Sequence, residues 1–130
     1  MTHLLLVAIG GAVGATLRYL TGLITIRLFR KSKVLTGTVI ANSLGCLTAG
    51  MILGVVTANG QLNEEIILFL TVGILGSYTT FSTFSLELSR LINESWSKLA
   101  AYLFIQVIFA ILLCVAGYLS TLWLMGEIFG

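Results

Sequence analysis

The chain has 130 residues, 58% of them hydrophobic and only 9% charged, with a net charge of +2 and a mean hydropathy of +1.07. That balance excludes an ordinary soluble domain and identifies an integral membrane protein. Seven Lys and Arg against five Asp and Glu also offer no basic surface for a nucleic acid.

Four apolar runs follow one another, Leu4 to Ile26, Thr36 to Ala58, Ile66 to Leu88 and Leu99 to Met125. Each has the roughly 20 residues that a helix needs to cross a bilayer core. The whole chain, 1–130, is thus expected to be one all-α transmembrane domain. Run one has only Met1, Thr2 and His3 before it, and it exceeds the roughly 7–15-residue apolar core of a cleavable signal peptide, so it reads as a span. His3 reads as an ordinary interfacial residue. Within the run, Gly10 and Gly14 form a GxxxG pair for close helix contact, and Arg18 is a guanidinium that lipid would not tolerate unpartnered. The basic connection Arg27, Arg30, Lys31 and Lys33 suits anionic lipid headgroups.

Run two carries a small-residue ridge, Gly37, Ala41, Gly45 and Ala49, with Gly50 and Gly54 beside it, and one intramembrane amide, Asn42. Packing alone accounts for such glycines. The Asn59 to Glu65 turn then brings Glu64 and Glu65. Run four is rich in Leu, Ile and Phe, with a weaker small ridge, and is expected to face lipid more than the others; Gln106 is its intramembrane polar residue. Cys46 and Cys114 both fall inside spans and read as small apolar packing residues rather than a disulfide.

Outside the spans, Arg27, Arg30, Lys31, Lys33, Arg90 and Lys98 lie on one side of the membrane, six against zero on the other. The positive-inside rule places both termini away from the cytoplasm. Glu87 and Glu94 stand three and four residues from Arg90, a spacing that allows a surface ion pair for either.

Run three is the unusual one. Between Thr79 and Ser85 it places five hydroxyls and two phenyl rings in a membrane-length segment, where an unpartnered hydroxyl costs roughly 2–7 kcal/mol. At about 100° per residue, Thr80, Thr83, Phe84 and Glu87 share one face, with Thr79 and Ser82 on the next arc. Upstream, Gly73, Gly76 and Ser77 weaken the helix, and a break near mid-membrane would free backbone carbonyls able to hold a cation. The alternative is that the hydroxyls bond back to their own helix and the rings fill the core. Together with Asn42, Arg18 and Gln106, the donors and positive ring edges favour an anion route. Four close-packed helices leave no central conduit, so a pathway belongs between subunits.

The motifs GILGSYTTFSTFS at 73–85, GGAVGATLRY at 10–19 and GTVIAN at 37–42 resemble the Fluc/CrcB fluoride channels, over essentially the whole chain. The resemblance implies a fluoride-selective passive channel of the bacterial inner membrane, not an enzyme, that exports cytoplasmic fluoride and confers resistance to it. It implies an antiparallel, dual-topology homodimer with two pores and a third helix broken near mid-membrane. By this resemblance Phe81 and Phe84 are the rings along the ion path, Asn42 the pore amide, Ser82 and Thr83 the hydroxyl track, Thr38, Glu87 and Tyr102 a polar triad at its far end, and Arg18 the arginine of the vestibule. Carbonyls of Gly76 and Thr79, two from each subunit, would hold a structural sodium ion.

The six-to-zero loop charge pulls against dual topology; either a tight dimer overrides it or a second, oppositely oriented chain is the partner. Two other classes compete. A small multidrug-resistance-type proton-coupled exporter has four short spans, but run one lacks the glutamate that such exchange uses. A non-transporting membrane assembly subunit explains the glycine ridges but leaves the hydroxyl and ring cluster unused.

Overall fold

The computed structural model describes residues 1–59 and 63–129. Five helices form among them: α1 (Thr2–Leu28), α2 (Gly37–Asn59), α3 (residues 64–78), α4 (Phe81–Ile92) and α5 (residues 96–129). With α3 and α4 counted as one interrupted span, Glu64–Ile92, four segments are long and apolar enough to cross a membrane. The four expected runs therefore all stand, three of them extended by a few residues and the second starting one residue later, at Gly37. Residues 60–62 of the expected Asn59 to Glu65 turn lie outside the described residues.

Three of the helices start where a side chain supplies a cap. Thr36 precedes α2, and its hydroxyl accepts the Val39 N–H at 3.3 Å; Asn63 accepts from Glu65 at the start of α3, and Thr80 accepts from Thr83 at the start of α4. Such side-chain oxygens satisfy N–H groups that have no intrahelical partner.

Lipid supplies no hydrophobic drive for helix association, so close van der Waals contact carries the packing. A Cβ on Gly10 would stand 2.9 Å from the Gly73 Cα, which brings α1 and α3 into backbone contact. Gly14 lies on the Ile74 carbonyl in the same interface. The α2–α5 pair is the most extensive contact in the fold, with Gly50 on the Cys114 carbonyl and Gly117 on the Leu47 carbonyl. The last helix is therefore not a mainly lipid-facing element. One of its faces is a principal packing surface, while Ile108, Ile111, Leu112, Val115 and Leu119 stay exposed on the other. Exposed Trp96 and Trp123 are about 40 Å apart by helical rise, the separation of the two membrane interfaces.

The interruption in the third span falls at Thr79 and Thr80, whose backbones are extended (φ −83°, ψ 160° and φ −151°, ψ 128°). It does not fall at the glycines. Gly76 is helical, with φ −60° and ψ −31°, and Gly73 serves contact with α1. β-Branched threonines accept extended dihedrals readily, and a partner on α2 supplies what the helix ladder loses. Beyond the break, Phe84, Leu88 and Leu91 present one stripe of α4 to Val39, Leu99 and Tyr102, the apolar core.

On the side of the basic connections, Lys33 meets Glu94 at 2.8 Å and Lys98 meets it at 3.6 Å. Glu94 thus pairs with these two lysines rather than with Arg90, and the α1–α2 and α4–α5 connections share one face. The Lys33 ammonium holds the Glu94 carboxyl below the ordinary carboxylate range, with Lys98 adding to it.

Two expectations follow. Gly50→Val forces a side chain into the Cys114 backbone and should cost about 1–3 kcal/mol, read as a lower unfolding midpoint in detergent, whereas Gly126→Ala, with open space around it, should be neutral. The depressed Glu94 titration means its ion pairs persist above the ordinary carboxylate pKa and are lost as pH falls through the lowered value. In Lys33→Gln the Glu94 carboxyl should titrate closer to an ordinary glutamate, as followed by carbon NMR.

Candidate functional site

The site is organised by the break. Thr80 N–H donates to the Asn42 Oδ1 at 2.9 Å, and the Asn42 Nδ2 donates to the Thr80 carbonyl at 3.1 Å. One side-chain amide on α2 thereby satisfies both backbone groups of an extended residue inside the membrane span. Thr79 is fastened from the other side, where Arg18 Nη1 lies 3.4 Å from its carbonyl oxygen. One turn away, the Tyr78 hydroxyl meets that of Thr21 at 3.1 Å, and Thr21 donates to the Leu17 carbonyl. Helices α1 and α2 thus grip the interruption between them.

From Asn42 a line of hydrogen bonds runs to a carboxylate. Asn42 Nδ2 also reaches the Gln106 Oε1 at 3.4 Å, Gln106 Nε2 reaches the Tyr102 hydroxyl at 3.3 Å, and Tyr102 donates to Glu87 Oε2 at 2.8 Å. Glu87 accepts two more hydroxyls, from Thr38 at 2.8 Å and from Thr36 at 2.7 Å. The expected cluster of Thr38, Glu87 and Tyr102 is therefore assembled, with Thr36 as a fourth member. Glu87 makes no ion pair with Arg90; three hydroxyls close by outcompete a flexible, exposed guanidinium. A carboxylate within a span needs such donors.

Rings run beside this line. Phe81 and Phe84 have centroids 5.5 Å apart at 43°, and Phe84 stacks on Tyr102 at 5.8 Å and 12°. The row goes from the surface to the core, since Phe81 is 78% exposed and Tyr102 fully buried.

Two cavities meet at Thr80. One, of about 390 Å³, is lined by Arg18, Arg30, Thr36, Thr38, Thr83 and Glu87 among others; the second, of about 470 Å³, by Asn42, Gly76, Thr79, Phe81, Phe84 and Gln106. The shared face expected for Thr80, Thr83, Phe84 and Glu87 is thus divided, with Phe84 opening to the ring cavity and Thr83 and Glu87 to the arginine cavity. Ser82 is exposed beside Thr80, its hydroxyl 3.1 Å from that of Thr80. Thr79 bonds back to the Leu75 carbonyl, as an intrahelical hydroxyl does.

Gly76 presents an unpaired carbonyl at the break, while the Thr79 carbonyl faces the Arg18 guanidinium. Thr80 N–H is taken by Asn42, so the Gly76 carbonyl loses its helical donor, and the Thr79 carbonyl lies at the extended break. Freed carbonyls of this kind ligate sodium in broken membrane helices. Both residues also line an apolar groove of about 670 Å³ with Gly45, Cys46, Ala49 and Cys114.

The sequence assigns Thr36 no role, and Gln106 only that of an intramembrane polar residue on an anion route. Thr36 was legible as an N-cap, a threonine immediately before a glycine-led apolar helix. Gln106 was legible as costly in lipid, but nothing local pointed to Asn42, 64 residues away.

Removing the Asn42 amide should expose its importance to the fold. Asn42→Ala leaves the Thr80 N–H and carbonyl without their partner and should cost about 2 kcal/mol or more, measured as a lower unfolding midpoint in detergent.

Residues 5–118 match the family described as CrcB-like protein, Camphor Resistance (CrcB). Relatives named fluoride-specific ion channel FluC are similar over most of the chain. The protein of Thermotoga petrophila is 40% identical over 82% of this chain and 84% of its own. That of Chloroflexus aurantiacus is 35% identical over 97% and 100%, and that of Haemophilus influenzae strain PittGG is 44% identical over 74% of each.

Proposed function

The chain belongs to the CrcB-like protein family, and from that premise we propose that it is a fluoride-selective channel that passively exports fluoride across the bacterial inner membrane. The observation that carries this reading is the membrane-level cavity lined by Asn42, Thr80, Gln106, Phe81 and Phe84. It offers hydrogen-bond donors and aromatic rings without a charged side chain among its lining residues.

Fluoride is small and tightly hydrated, so an apolar passage is closed to it unless other donors replace its water. Thr80, Ser82 and Thr83 hydroxyls, the Asn42 amide and the positive edges of Phe81 and Phe84 do so by partial charges. No fixed cation in that cavity traps the ion, as conduction requires. Arg18, in the adjoining cavity, concentrates the anion at the entrance. Thr38 and Glu87 line that same cavity and Tyr102 adjoins them, the carboxylate screened by its hydroxyl donors. Neutral HF enters a cell and dissociates in the more alkaline cytoplasm; the membrane potential then drives the anion out, with no ATP consumed.

The exposed ring of Phe81 and the apolar groove through Cys46, Gly76 and Thr79 support a second copy of the chain as the other wall. The assembly is an antiparallel homodimer with two pores. Gly76 and Thr79 carbonyls of each subunit would hold a sodium ion, which supplies positive charge between the two breaks and binds the subunits together.

Purified protein in liposomes loaded with fluoride, released by a potassium ionophore, should lose fluoride rapidly and chloride little; equal loss of both would sink the selectivity. Phe81→Ile or Phe84→Ile should slow efflux at least tenfold, the effect of about 1.4 kcal/mol on a barrier, while leaving the oligomer intact.

A further inference from the structure

The polarity of the hydrogen-bond line can be assigned from its ends. The Tyr102 O–H donates to Glu87 at 2.8 Å. The Tyr102 oxygen is then an acceptor, and the nearer Gln106 atom must be Nε2, at 3.3 Å. This turns the Gln106 Oε1 toward Asn42. At the other end, the Thr80 N–H requires Oδ1 of Asn42, which leaves Nδ2 as the donor. One Nδ2 hydrogen is used by the Thr80 carbonyl at 3.1 Å, and the other meets Gln106 at 3.4 Å, a long and weak bond. Both amides line the cavity that holds Phe81 and Phe84. With no anion present, Asn42 has no hydrogen to spare.

We propose that the Gln106 carboxamide oxygen is a resident acceptor for the Asn42 hydrogen that faces the ring-lined cavity, and that a passing anion takes this hydrogen by displacing it. This rests on the anion-channel reading above. The arrangement has two effects. Between ions, the intramembrane donor is never left unsatisfied. During passage, the hydrogen bond that the ion gains at Asn42 is offset by the one that Gln106 gives up, so the ion is held less tightly and leaves sooner. Gln106 is a positioning residue that exchanges affinity for throughput. Its place in a stretch of wide, π-helical turn, Phe104–Phe109, fits a side chain adjusted for a role other than packing.

The test is fluoride efflux from liposomes as a function of internal fluoride concentration for wild type, Gln106→Met and Leu119→Ala. Methionine keeps the length of the side chain and removes the acceptor. The half-saturating fluoride concentration should fall about two- to tenfold, the worth of one neutral hydrogen bond, and the maximal rate should fall with it. Leu119, exposed on the outer face of the same helix and lining neither cavity, should move neither quantity when shortened. Gln106→Leu repeats the measurement should the methionine variant not fold. A lower maximal rate at unchanged half-saturation is what loss of structure alone would produce, and it overturns the proposal. So does a raised half-saturation. Wild-type protein that moves no fluoride overturns the channel reading itself; wild-type flux with an unshifted Gln106→Met curve overturns only the role of Gln106.

Discussion

One side-chain amide holds the interruption on which the rest of the molecule depends. Asn42 gives Thr80 an acceptor for its N–H and a donor for its carbonyl, in a region where water does not compete and an unpaired peptide group is costly. Because the pair is complete, the third span can stop being a helix for two residues and start again in a new direction. That restart sets where Phe81 and Phe84 stand, aims Glu87 at the hydroxyls of Thr36, Thr38 and Tyr102, and leaves the Gly76 carbonyl free. The polar residues of this site form one connected structure, in which the position of each donor follows from the position of the next.

Legibility in the sequence tracked the range of the interaction. The four spans were plain because hydropathy sums over about 20 residues and tolerates local error. The small-residue ridges were read correctly as contact surfaces because the spacing of Gly10 and Gly14 is itself the signal. The location of the break was legible only in part, since Thr79 lies in it and Gly76 does not. Helix propensity pointed to Gly73 and Gly76, but backbone contact with Gly10 explains the first, and the interruption sits where Asn42, 38 residues back in the chain, supplies partners. Glu87 shows the same limit in residue spacing alone, though the resemblance placed it with Thr38 and Tyr102, the partners it has. The local choice was Arg90, one turn away, and the partners that prevail come from α2 and α5. Lys33 and Glu94, 61 residues apart, are a third case.

The division of labour between the two cavities has a physical basis. Full charge is kept to the arginine cavity, with Arg18, Arg30 and Glu87, where it can act at a distance on ions outside. The ring cavity uses partial charges alone, at hydroxyls, amides and ring edges. In the proposed channel, long-range attraction and short-range solvation would fall to different groups on the two sides of Thr80.

The glycine contacts between α1 and α3 and between α2 and α5 have a thermodynamic consequence. A leucine brought into an interface gives up rotamers worth about 0.5–1 kcal/mol, and a glycine has none to give up. In a bilayer the gain from association is small, so interfaces of backbone against backbone lose little of it to side-chain entropy. They also gain none back by loosening. Warming therefore has no side-chain disorder to release at the glycines of these seams, and the helices that frame the break have less thermal incentive there to drift apart.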